Sequence, residues 1–144
     1  MIQPVSPSSP DELMEFALLT LDWAADALIS SGGHIAPFSL MQTRDQAEAG
    51  KKGELTMFVS KAPENGLEQA RTTVRNTTDV LLAAVAWDGY LTMEGQRTDA
   101  VVVEASAAGD QASILLARRH VAGEDGQFVR LGIPVKAGEG QPLF

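Results

Sequence analysis

Cysteine is absent from this 144-residue chain. That excludes disulfides, thiolate zinc sites, iron–sulfur clusters and cysteine nucleophiles. Cations are scarce: eleven Lys and Arg stand against nineteen Asp and Glu, for a net charge of −8. A surface that acidic repels phosphate backbones and anionic lipid unless its cations are gathered in one patch, so neither nucleic acid nor membrane is expected as a partner. Arg118-Arg119-His120 is the one basic run, and strand alternation sends its side chains to opposite faces. Long apolar runs are missing too. The longest, Val80–Trp87, falls far short of the roughly 20 residues a membrane helix needs. The first nine residues contain neither a basic stretch nor an apolar core and do not read as a secretory signal. A soluble, cytoplasmic protein is the expectation.

What is present has the composition of an ordinary globular chain, 44% hydrophobic and 21% charged. Residues 1–9, with two prolines among small polar residues and Pro10 directly after, read as an extended arm. A helix is predicted from Pro10 to about Ser30, with Ser9 as cap, Pro10 at the first helical position and Asp11 and Glu12 at the positive end of the dipole. Met14, Leu18, Leu21, Ala25 and Leu28 form its apolar stripe, which Leu13, Phe16 and Trp23 broaden. Gly32-Gly33 supplies the stop.

Two strands follow, Ile35–Thr43 and Glu54–Lys61, joined by a polar loop over 44–53. Pro37 argues for an edge position or a late start in the first. A weaker helix is predicted over Pro63–Asn76, where Gly66 and the threonines lower helix propensity. Everything after Val80 reads as β-structure. Asp88-Gly89 is either a hairpin turn or a bulge inside one long strand that turns at Glu94-Gly95, and the long strand is preferred. Strands over Arg97–Glu104, Ala112–Val121 and Gln127–Ile133 complete the set, with Pro134 and the following glycines ending regular structure.

The predicted fold is α+β: a mainly antiparallel sheet of five to six strands with two helices on one face, in the order α-β-β-α-β-β-β(-β). Residues 10–135 form one domain, followed by an irregular tail over 136–144. The strands are apolar on both sides in their middles. Two modest helices cover one such face but hardly both, so a second copy of the chain is expected on the other; a ligand cavity is the alternative.

Candidate chemistry concentrates at one sheet end. With the hairpin turn at Ala108-Gly109, Asp99 faces Arg118, and alternation sets His120 on the same side, with Arg97 and Tyr90 beside them. A carboxylate between guanidinium and imidazole is suited to orient a base or bind an anion; the plainer reading is a solvated cross-strand ion pair. Tyr90, Arg97, Asp99, Arg118 and His120 are therefore the ligand-binding candidates, and none is assigned as catalytic. A metal site is not expected, because neither His34 nor His120 has a partner at ligand spacing; His34 after the helix stop suits the negative dipole end. Asp99 and Glu104 point to opposite faces and make no nuclease-like pair. There is no Gly-x-Ser-x-Gly elbow and no phosphate loop, so no cofactor is expected either. Trp23 and Trp87 read as core aromatics.

The segments Trp87-Asp88-Gly89-Tyr90, Gly95-Gln96-Arg97-Thr98-Asp99-Ala100 and Val101-Val102-Val103-Glu104-Ala105 resemble stretches in small uncharacterised bacterial proteins. That resemblance implies no activity. The expected function is a non-catalytic interaction module working as a homodimer. The alternatives are a small-molecule binder or small enzyme using Asp99, Arg118 and His120, and an acidic export or effector chaperone that holds another protein.

Overall fold

The computed structural model describes residues 10–59 and 62–144. The expected N-terminal arm and the Ser9 cap lie outside that range. Three helices and six strands follow in the order α1 (Pro10–Ser31), β1 (Phe38–Thr43), α2 (Arg44–Glu48), β2 (Glu54–Met57), α3 (Pro63–Asn76), β3 (Val80–Met93), β4 (Gln96–Ala107), β5 (Ser113–Ala122) and β6 (Phe128–Gly140). The strands form one antiparallel sheet ordered β2-β1-β3-β4-β5-β6. This is the expected α+β class.

Asp88-Gly89 neither turns nor bulges. β3 pairs with β4 in unbroken register from Leu82↔Ala107 to Met93↔Gln96. The turn falls at Glu94-Gly95, both at positive φ (52° and 80°), the backbone that matches strand twist in a two-residue hairpin. Gly89 has a packing reason instead: a Cβ there would sit 3.2 Å from Trp87 Nε1 and 3.4 Å from Val102. In the next hairpin the register differs from expectation by two residues, with Val101↔Arg118 and Val103↔Leu116. A shift of two preserves which residues share a face.

The two long helices lie on opposite faces, which corrects the expectation of one. Leu13, Phe16, Ala17, Leu21, Ala24 and Leu28 of α1 pack on Leu82, Ala84 and Ala86 of β3 and on Val101, Val103 and Ala105 of β4. The alanines let the helix approach the sheet closely. Ala70 and Val74 of α3 pack on Ala83 and Val85, whose side chains leave the other side of β3. The buried line on α1 also runs through Leu13 and Phe16 instead of Met14 and Leu18, which are exposed, as is Trp23. β3 is thus covered on both sides, as an apolar run at nearly every position requires.

Two further corrections have local causes. The loop over 44–53 contains the short α2, opened by a capping box: Gln46 N–H donates to Thr43 Oγ1, and Thr43 N–H donates to Gln46 Oε1. Regular structure also continues past Pro134. β6 is an edge strand, so a missing N–H there breaks no ladder. Its register shifts opposite Ala117–Arg119 and again opposite Leu115/Leu116, which absorbs Pro134 and Gly132 (φ 71°). Residues 141–144 then return over the α3 face. Leu143 is buried there beside Val74 and Val85, and its N–H donates to Ser106 Oγ.

The α3 face also holds an ion pair. Glu104 of β4, buried, accepts from Ser113 Oγ at 2.5 Å and is paired with Arg71 of α3. The Arg71 guanidinium lies 5.5 Å from the centre of the Trp87 ring, within cation–π range.

Gly66, read from sequence as a weakness in α3, is a contact point. A Cβ there would lie 2.6 Å from the Phe58 carbonyl oxygen and 3.3 Å from Pro37. Gly66→Ala is therefore expected to destabilise the protein by about 1–3 kcal/mol in urea unfolding, although a helix position alone predicts a gain of about 1 kcal/mol. A stabilised variant would show that the segment before α3 can move aside.

Candidate functional site

The five candidate residues share the α1 face of the sheet, at the end where β3 meets β4. Alternation from Ala84 and Ala86 carries Asp88 and Tyr90 to that face. Val101 and Val103 carry Arg97 and Asp99 there, and Leu116 carries Arg118 and His120. They divide into three separate arrangements. The Arg97 guanidinium lies over the Tyr90 ring at 3.6 Å from its centre, joining two exposed side chains across the hairpin. Arg118 donates at 2.9 Å to the Gly132 carbonyl, where the β6 irregularity aims a backbone oxygen at it. Its cross-strand partner is Val101, and the expected Asp99–Arg118 pairing is absent among the described residues.

The carboxylate that meets an imidazole is Asp88. Its Oδ1 stands 3.8 Å from Nε2 of the buried His120, and its Oδ2 stands 3.6 Å from Nδ1 of the exposed His34. The connection after α1 brings in His34, and β5 brings in His120. Burial pushes the Asp88 carboxyl above the ordinary aspartate range, and the charge of Asp99 adds to the rise, while the two histidines work against it. A half-buried acid between an inner and an outer imidazole can pass a proton between them or hold two protonated rings together. In the sequence Asp88 belongs to the turn-or-bulge pair Asp88-Gly89 and is not among the site candidates. The long-strand reading contained the signal that places it, since 88 has the parity of 90 and lies two strands from His120.

Among the described residues no group of three or more acidic or imidazole side chains is placed to hold a metal ion, and no helix is long and apolar enough to cross a membrane. Two clefts are defined elsewhere. One of about 400 Å³ lies between the first half of α1 and the α2 region, and one of about 610 Å³ lies beside Phe58 and α3. Neither is lined by Asp88, Tyr90, Arg97, Asp99, Arg118 or His120. No family model, curated protein or solved structure matches the chain.

The raised Asp88 carboxyl has a definite sign in pH-dependent stability. A folded-state pKa above the unfolded one means that the folded protein holds more proton, so stability attributable to Asp88 falls as pH rises through that interval. Asp88→Asn removes this slope. Relative to wild type, the variant is expected to gain unfolding free energy between about pH 4 and pH 5.5, below the ordinary histidine range. Denaturant titrations across that interval check it, and a relative loss would mean that the two histidines outweigh burial.

Proposed function

We propose that the chain is a non-catalytic α+β interaction module that works as a homodimer, joined through the open half of the α3 face. The observation that carries this reading is the uneven cover of the sheet. α3 and the last residues lie over β1, β3 and the near part of β4. Farther along the same face, Ala100, Val102 and Ala117 are buried among Leu91, Leu115 and Val135, side chains of the strands themselves. Next to them Val121, Val129 and Leu131 are 44%, 47% and 38% exposed, and pairing with β5 places Val129 and Leu131 beside Val121 and Arg119.

Charge supports a second copy as the occupant. A chain of net charge −8 repels its like. Yet the described residues that β4, β5 and β6 direct to this face include a single carboxylate, Glu104, already paired with Arg71. Two copies meeting here avoid the acidic surplus found elsewhere. Trp87 and Arg71 border the patch, and such residues carry a large share of binding energy in interfaces. Homodimers joined by the same patch on both copies are the commonest soluble assembly. A cytoplasmic setting belongs to the same proposal.

Sedimentation velocity at micromolar concentration is expected to give about twice the chain mass of 15.3 kDa. Leu131→Asp with Val129→Asp is expected to give a monomer with an unchanged circular dichroism spectrum. A wild-type protein that sediments as a clean monomer removes the reading, and a monomer purified with a different bound protein would favour the chaperone alternative.

A further inference from the structure

The α1 cleft differs in character from the sheet face. Its volume of about 400 Å³ falls within the usual range for small-ligand sites, roughly 300–1,000 Å³. Its apolar wall comes from Phe16 and Leu19 of α1 and from Leu81 and Leu82 of β3. Three charged side chains share its lining, Glu12 and Glu15 on α1 and Lys52 before β2. Among the described residues neither Glu15 nor Lys52 forms an ion pair. Each is held by a different element. Glu15 is fixed to a helix that packs on the sheet through its neighbour Phe16, while Lys52 follows the capped α2 turn, whose loop is tied back by the Gln42 side chain donating to the Lys51 carbonyl at 2.9 Å.

We propose that this cleft binds a small zwitterion with an apolar side chain, of the kind represented by the larger apolar α-amino acids. The ligand's ammonium meets Glu15, its carboxylate meets Lys52, and its side chain lies on Phe16, Leu19, Leu81 and Leu82. Opposite charges lining one apolar cleft without neutralising each other match a molecule that carries both signs at one end and hydrocarbon at the other. A simple amine satisfies only the α1 carboxylates, and a simple fatty acid satisfies only Lys52. The inference is independent of the dimer reading, because the cleft lies on the α1 side of the sheet.

The test is an amide-shift titration of the intact protein by nuclear magnetic resonance with leucine and phenylalanine. Two leucine analogues serve as controls: 4-methylpentanoate, which lacks the ammonium, and isoamylamine, which lacks the carboxylate. Leucine and phenylalanine are expected to shift the amides of Phe16, Leu19 and Leu81 with dissociation constants of roughly 0.1–1 mM, in keeping with ligands of so few atoms. Each single-charge analogue is expected to bind at least roughly tenfold more weakly, and Glu15→Gln and Lys52→Ala are each expected to weaken leucine by a similar factor, the range of a charge-assisted contact. Equal binding by either analogue, shifts confined to residues away from the cleft, or none up to about 10 mM leucine, a level well above the expected constant, would overturn the proposal.

Discussion

Strands β3 and β4 are apolar on both sides, and that one constraint organises the molecule. A strand with Ala84 and Ala86 on one face and Ala83 and Val85 on the other is stable only if both faces are taken out of water. Hydrophobic burial is proportional to area and indifferent to direction, so the cover can come from any element that reaches. α1 supplies it on one face across β3, β4 and β5. On the other face α3 covers β1 and β3 and reaches β4 through Arg71, and residues 141–144 add Leu143. What remains is the far end of that face, where β5 and β6 leave valines and a leucine half in solvent.

The Glu104–Arg71 pair marks the boundary between the covered and open halves. An isolated carboxylate at that depth is costly. Ser113 and Arg71 supply polar contacts, and Gly140 packs so closely that a Cβ there would lie 2.6 Å from Glu104 Oε2. The same guanidinium lies over Trp87. One residue of α3 thereby ties the helix to two strands, and it orients the last covered aromatic before the open patch begins.

The polar end of the α1 face behaves differently. There the sheet runs beyond the core, and its side chains settle into local pairings instead of converging on one point. Arg97 takes Tyr90, Arg118 takes a backbone carbonyl, and Asp88 takes two imidazoles. These groups come from β3, β4, β5 and the connection after α1, so their separation is a matter of register and strand length. A shift of two residues moved Arg118 from Asp99 to Val101 without changing its face.

Much of this was legible in the residues themselves. The bounds of α1 and α3, the long β3, the Glu94-Gly95 turn and the division of β4 and β5 into two faces follow from periodicity and from turn chemistry, both properties of neighbours in the chain. The capping box of α2 was also written locally, in Thr43 and Gln46, but a polar stretch with glycines hides so short a helix. Other features depend on which surfaces meet. Whether α3 joins α1 or crosses to the opposite face turns on which side of the sheet still has uncovered area, and no window of sequence contains that quantity. The same holds for Gly66, a poor helix former that is required because the Phe58 carbonyl lies against it. It holds again for Asp88, whose role depends on a histidine two strands away. Periodicity sorts side chains into faces; only the packed chain decides what each face touches.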